Sequence, residues 1–556
     1  MTSKLLTLIE AQTEMWSGVR PPNEQARTMA AGLKTVLDGF EALRGQVKFE
    51  DEPSSFEAAL AVCKERDGSQ KCGAPAVSAS AHPRPSGLLA MFMVEAATAI
   101  ARGETTSLAL TKASIEAFRS MDKPLNSLIR LDAEEALEAA EGLDKLRKSG
   151  RLMGPLHGVP LAHKDMYYQA GKPNTGGSKI RRSFKPGHTS TALARLEAAG
   201  SITVGALNMA EFAQNPTGHN AHFGDCHNPW NPAYCTGGSS SGSGASVAAR
   251  FVYGALGSDT GGSIRLPAAM CGITGIKGTQ TRVSRFGAMP LSFSCDNVGP
   301  LARSARDCAR LMGIIAGHDP ADPTSAREPV PDYEAGLVGH VRGLRIGVPE
   351  NFFLDGADTE VAHAFETSLA VLKDAGAEVI RLKLPHMDAV NTYVAIVSRV
   401  EAATIHATWM RERAGDYAIH LSARLYGGYA IPATHYVEAL SRRGPILKVF
   451  CEDVFGKVDV LAAPTLRCKV PTLAETDIDS GRPGAIEAFT NCSINTRVIN
   501  YLGLPSISVP CGLDSRGLPI GLMLQGRPFG EGTILRAADA YQSRTDWHRK
   551  KPPLAA

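Results

Sequence analysis

Two glycine- and serine-rich segments hold the residues best suited to chemistry: Thr236-Gly237-Gly238-Ser239-Ser240-Ser241-Gly242-Ser243-Gly244 and Ser258-Asp259-Thr260-Gly261-Gly262-Ser263-Ile264-Arg265. Small residues allow backbone turns that bulky ones cannot make, so amide N–H groups can converge on one point beside a serine hydroxyl. In the second segment Ser263 follows Gly261-Gly262, and the N–H groups of Thr260, Gly261, Gly262 and Ser263 are the donors an oxyanion hole would use. The chemistry indicated is acyl transfer. A serine needs a base, and no Ser-His-Asp order stands out from the spacing. Lysine can replace histidine. Lys164 follows the apolar run Gly158-Val159-Pro160-Leu161-Ala162, and burial there would lower its pKa until the neutral amine could accept a proton.

Other readings of the same residues compete. A Gly/Ser run alone can be a flexible linker. Gly238-Ser239-Ser240-Ser241-Gly242 also fits a G-x-S-x-G elbow, which would make Ser240 the nucleophile and leave Ser263 and Lys164 unexplained. A phosphate loop fails, because Gly237 to Ser243 has no lysine before its hydroxyl residues. His219, His222, Cys226, His227 and Cys235 cluster before the serines, but their spacing fits no common zinc template, so no metal is assigned. His163 adjoins Lys164 and would either tune it or simply pack.

Taken together the two segments resemble the amidase signature hydrolases, whose glycine- and serine-rich stretch runs into an Asp-x-Gly-Gly-Ser-x-Arg turn. The resemblance implies that Ser263 is the nucleophile, that Ser239, 24 residues earlier, is a relay serine on a cis peptide bond, and that Lys164 is the terminal base. Asn208 to Ala213, Asn220, Phe223-Gly224, Asn228 to Pro232, Asp296 to Arg303 and Gly503 to Pro510 also look like family segments, so the likeness spans roughly Leu88 to Gln542. Met166 departs from the asparagine many members carry, and Ser241-Gly242-Ser243 from the commoner Gly-Gly-Ser. Asp259 and Arg265 flank the nucleophile turn with opposite charges and are expected to hold it. Cys235, Thr236, Tyr167 and Tyr168, with the stretch Leu425 to Ala433, are expected to wall the substrate pocket.

These residues need a scaffold to position them. Short apolar runs at Ser201-Val204, Gly343-Val348, Val458-Ala463 and Ser506-Val509 read as strands, with helices such as Thr189-Ala199 and Asp358-Ala375 between them. Alternation of this kind predicts an α/β fold, a large mixed central sheet covered by helices on both faces. Leu88-Phe118 and Asp132-Lys148 read as helices that open the main domain. Ahead of them, Met29, Leu33, Val36, Leu37, Phe40 and Leu43 follow helical spacing behind a cap at Asn23. The expected organisation is a helical unit over residues 1–65 that supports dimerisation or packs on the chain's own body, a linker over 66–87 and a catalytic domain over 88–556.

With 59 Lys+Arg against 56 Asp+Glu, the net charge of +3 supplies no field for nucleic acid, and a small, largely uncharged substrate is expected. Eleven cysteines scattered without regular spacing read as reduced thiols of a cytoplasmic protein. No run approaches the roughly 20 apolar residues that cross a bilayer, and the first residues read as helix, not as a secretory signal. The leading expectation is hydrolysis of a small-molecule amide through a seryl acyl-enzyme, by a homodimer that needs no cofactor. The alternatives are the glutaminase subunit of a tRNA-dependent amidotransferase, a hydrolase of carbamates or ureides, and a non-catalytic scaffold.

Overall fold

The computed structural model describes residues 2–48, 51–65 and 87–555. The strands are β1 (Leu128–Leu131), β2 (Pro160–Lys164), β3 (Ile202–Leu207), β4 (His227–Asn228), β5 (Asn231–Cys235), β6 (Gly254–Asp259), β7 (Thr274–Lys277), β8 (Asn297–Ala302), β9 (Arg345–Pro349), β10 (Glu378–Leu382), β11 (Val460–Pro464), β12 (Ser506–Leu513) and β13 (Pro519–Gly526). Strands β4 and β5 pair with each other, and the others form an 11-stranded sheet in the order β1-β3-β2-β6-β8-β7-β12-β13-β11-β9-β10. The sheet is mixed: β2 runs parallel to β3 and β6, and β9 parallel to β10 and β11. The remaining neighbours are antiparallel. The four runs read as strands are β3, β9, β11 and β12.

Successive strand residues point to opposite faces, and each face of this sheet has its own core. Leu161 of β2 joins a cluster with Leu256, Leu311 and Met312, while the next residue, Ala162, joins another with Val247, Ala248 and Ala268. Strands β2 and β6 are buried along their whole length, as strands covered on both faces must be. The second face is covered by the helices Ser241–Ala248 and Arg265–Cys271, each of which starts directly after one of the Gly/Ser turns.

One expected helix is divided. Leu88-Phe118 reads as continuous, but it forms a 3-10 turn at Leu88–Ala90 and the helices Met93–Arg102 and Ser107–Met121. Gly103 ends the first in a left-handed conformation (φ 74°), and the Thr106 hydroxyl caps the second by accepting from Ala109 N at 3.0 Å.

At the N-terminus lie the helices Thr2–Ser17, Glu24–Glu41 and Ser55–Val62. Asn23 caps the second, its side-chain oxygen accepting from Ala26 N at 2.8 Å. That helix buries Ala26, Ala30, Leu33 and Phe40 and packs on the helices Met387–Ile405 and Ile419–Gly428. Full burial of Phe40 contributes about 1.5–3 kcal/mol. Helix Ser55–Val62 lies on Arg443–Asp453, with the Arg443 guanidinium 3.6 Å from the Phe56 ring centre. The chain's own body covers the buried faces of the second and third helices, while Leu8, Met15 and Trp16 of the first stand exposed. Of the expected linker, residues 66–86 lie outside the described residues.

Candidate active site

Parallel pairing of β2 with β6 sets Ala162 beside Ala255 and His163 beside Leu256, so the ends of the two strands bring Lys164 next to Ser258. Lys164 Nζ donates to Ser239 Oγ at 2.6 Å and to Ser258 Oγ at 2.9 Å. The lysine is fully buried. Burial pushes its pKa down to about 7, against the opposing pull of Asp296 and Asp259. His163 turns away from the amine: its Nδ1 lies 3.0 Å from the Lys164 carbonyl and its ring stands edge-on to Tyr167. Burial lowers the His163 pKa to about 4, so it packs as a neutral ring.

Ser239 follows a cis Gly238–Ser239 peptide bond, as the family resemblance implied. A side chain at Gly238 would put its Cβ 2.4 Å from the Asn215 carbonyl oxygen, so only glycine fits there. The neighbouring Ser240 is fully buried: its hydroxyl accepts from Ser258 N at 3.2 Å and donates to Ser258 O at 3.3 Å. Those bonds tie it to the end of β6, which leaves the G-x-S-x-G reading without an exposed nucleophile.

Asp259 organises the second turn. Its buried carboxylate accepts from Gly262 N at 2.8 Å, Ile264 N at 3.1 Å, Arg265 Nε at 3.0 Å and Arg265 Nη2 at 2.9 Å. Arg265 Nη2 also donates to Asn500 Oδ1 at 2.7 Å and to Thr496 O at 3.0 Å. Burial alone would raise the Asp259 pKa, but the charge and hydrogen bonds of Arg265, with Lys277 behind them, hold it well below the ordinary carboxylate range. One expected oxyanion donor is thereby occupied, because the Gly262 N–H points at Asp259. The N–H groups of Thr260, Gly261 and Ser263 have no carboxylate partner among the described residues.

Ser263, with Thr260 and Gly261, lines a cavity of about 140 Å³. Lys164, Ser239 and Ser240 do not line it. No hydrogen bond joins Ser239 Oγ to Ser263 Oγ; the two turns meet through Ser240 N, which donates to Ser263 O at 3.3 Å. Relay bonds of this kind commonly tighten once a substrate is in place.

The expected pocket residues lie elsewhere. Tyr167 is buried and donates its hydroxyl to Gly257 O, and Tyr168 is half-buried against Phe184 and His188. Cys235 is buried beside Leu266 and Met270 with its sulfur 3.2 Å from Thr476 Oγ1, and the Thr236 hydroxyl donates to Gly237 O at 3.0 Å. None of the four lines the Ser263 cavity: each is consumed by packing or by a local hydrogen bond. His219 pairs with Asp225 at 2.9 Å and His222 with Glu211 at 2.8 Å, and His227 Nδ1 lies 2.7 Å from Pro232 O. Sequence reasoning missed Met29, Arg399, Arg424 and Arg497, which do line the cavity. They come from helices far apart in sequence, and the one nearby signal was the suspected wall at Leu425-Ala433, which begins one residue after Arg424.

A family model described as Amidase matches residues 109–535. The chain belongs to the amidase family. This amidase is 40% identical over 481 residues to a glutamyl-tRNA(Gln) amidotransferase subunit from Chloroflexus aggregans, covering 82% of this chain and 97% of that one. Among solved structures it resembles the peptide amidase of Stenotrophomonas maltophilia, with a TM-score of 0.72, 30% identity, and 84% and 99% of the two chains covered. It also resembles a member of a vestigial complex tied to the origins of an s-triazine catabolic enzyme, with a TM-score of 0.76, 30% identity, and 81% and 98% covered. The amidase is therefore an enzyme acting on amide C–N bonds. Among its described residues no helix is long and apolar enough to cross a membrane.

Proposed function

We propose that this amidase hydrolyses a small-molecule amide through an acyl-enzyme on Ser263. Ser263 Oγ attacks the amide carbonyl as its proton moves to Ser239 and the Ser239 proton to the neutral amine of Lys164. The carbonyl oxygen becomes an oxyanion facing the N–H groups of Thr260, Gly261 and Ser263. As the C–N bond breaks, the proton returns from Lys164 through Ser239 to the leaving nitrogen, general-acid help typically worth about 10²–10⁴ in rate. Water then attacks the acyl-enzyme along the same relay, releasing a carboxylic acid and restoring the Ser263 hydroxyl. No cofactor enters the scheme.

One observation carries this reading: a fully buried lysine bonded at 2.6 Å to Ser239, whose neighbour Ser240 bonds through its N–H to the carbonyl of Ser263 at the edge of a cavity. The test is trapping. Incubation with an amide and rapid acid quench should leave an acyl mass on the peptide containing Ser263, and hydroxylamine should divert the acyl group to a hydroxamate. Hydrolysis with neither trace would refute the acyl-enzyme.

The 40% identity to an amidotransferase component favours a second reading, in which the chain releases ammonia from glutamine for a partner. Ammonia production from glutamine, with no turnover of other amides by the isolated chain, would establish it. The likeness to a protein linked with s-triazine catabolism adds carbamates and ureides to the panel of substrates worth assaying.

A further inference from the structure

The cavity at Ser263 holds a concentration of charge that the whole-chain balance conceals. Arg399 on helix Met387–Ile405, Arg424 on Ile419–Gly428 and Arg497 on Ile494–Tyr501 all line it, and among the described residues no aspartate or glutamate does. Each guanidinium bonds to neutral acceptors: Arg399 Nη1 to Ala395 O at 3.2 Å, Arg424 Nη1 to Gln214 O at 3.1 Å and Arg497 Nε to Asn391 Oδ1 at 2.8 Å. Among the described residues none of the three has an ion-pair partner. Burial lowers the pKa of all three; at Arg424 the Arg399 charge adds to this, and at Arg497 the charges of Arg399, Arg424 and Arg467 do.

Half-buried cations gathered without a counter-charge work against the stability of the fold, and buried charges are ordinarily paired. A second observation points the same way. The side-chain nitrogen of Gln214, on the same wall, is buried without a hydrogen-bond partner. Among the described residues, the wall thus offers positive charge without a counter-charge and one amide donor without an acceptor. It also adjoins the reacting turn: a Cβ built on Gly261 would lie 3.5 Å from Arg497 Cβ.

We propose that the cavity recognises a carboxylate on the substrate, so that the amide hydrolysed at Ser263 is an anionic one, held by Arg399, Arg424 and Arg497. This rests on the reading of Ser263 as nucleophile and adds the substrate's charge to it. Guanidinium groups suit the task because they stay charged and meet a carboxylate through two parallel N–H bonds. The proposal departs from the expectation of an uncharged substrate, because a net charge of +3 over 556 residues says nothing about one cavity.

Two measurements separate this proposal from the hydrolase reading. In the first, full-length Ser263→Ala protein is titrated calorimetrically with succinate and with uncharged succinamide at fixed ionic strength. Succinate should bind about tenfold or more tightly than succinamide, with a further loss of about tenfold in Arg424→Gln and Arg497→Gln backgrounds, the scale of one charge-assisted contact. Equal affinity for the two ligands overturns the proposal, and that comparison needs no arginine variant to fold. In the second, kcat/KM for succinamate is divided by that for butyramide. A ratio well above one that collapses in the arginine variants supports the site. A ratio near one overturns it while leaving amide hydrolysis intact. Succinate binding that depends on the arginines, in a protein that hydrolyses no amide, supports the anion site and removes the hydrolase reading instead.

Discussion

Lys164 Nζ and Ser239 Oγ lie 2.6 Å apart, although 75 residues separate them in the chain. The contact exists because β2 ends at Lys164 and the Ser239 turn opens the helix packed over that end of the sheet. Neither side chain reaches solvent, so the amine is held near neutrality and next to the hydroxyl at once.

The first prediction concerns pH. Only the neutral amine can take a proton, and burial sets the Lys164 pKa at about 7, so the competent fraction grows as pH rises through that value. The kcat/KM should fall about tenfold per unit below the inflection and level off above it. A pH–rate profile from acid to mildly basic buffer checks this. A flat profile, or an inflection that persists in Lys164→Ala, argues against Lys164 as the base.

Removing single members of the proposed relay should have graded effects. Ser263→Ala should abolish both turnover and the acyl adduct seen by intact-protein mass spectrometry. Lys164→Ala should lower kcat by about 10²–10⁴, the usual worth of a positioned base. Turnover retained by Ser263→Ala would transfer the nucleophile elsewhere.

Asp259→Asn leaves Arg265 buried beside a neutral amide, and breaking a buried pair from one side costs about 3–5 kcal/mol. Differential scanning calorimetry should show unfolding at a clearly lower temperature, and activity should fall as the turn loosens. An unchanged unfolding temperature would mean that the pair does not hold the turn.

Gly262 takes φ 129°, and a Cβ there would sit 2.2 Å from Thr496 Oγ1. Gly262→Ala should therefore displace the turn and reduce kcat about tenfold or more, with far-UV circular dichroism unchanged. Adding Thr496→Ala removes the 2.2 Å contact with Oγ1 but leaves the Cβ of that residue at 2.7 Å and the backbone strain, so rescue should be partial at most. Full activity in the single variant would show that the turn is not held as described.

The turns of the candidate site were legible because their requirements are local, while the pairing of Lys164 with Ser239 came from the family resemblance. Gly262 and the Asp259–Arg265 pair lie within one turn, and short apolar runs around Lys164 and Ser506 announce buried strands. Local reasoning failed where proximity in sequence had to stand for proximity in space. Tyr167, Tyr168, Cys235 and Thr236 neighbour the candidate motifs but pack away from the cavity, while Arg399, Arg424 and Arg497 reach it from three separate helices. Nothing in any one helix marks its arginine as unpaired. The break at Gly103 was passed over because alanine-rich sequence on both sides favours helix more strongly than one glycine opposes it.

Met29 gives the N-terminal helices a further meaning. It belongs to Glu24–Glu41, ahead of the region that matches the family, yet it lines the same cavity as Ser263. A wall carried on the same polypeptide is present at an effective concentration that dilution cannot lower. Specific activity should therefore stay constant from nanomolar to micromolar protein wherever that wall alone sets it. Substitutions in this helix can also reshape what the cavity admits while every residue of the proposed relay stays as it is.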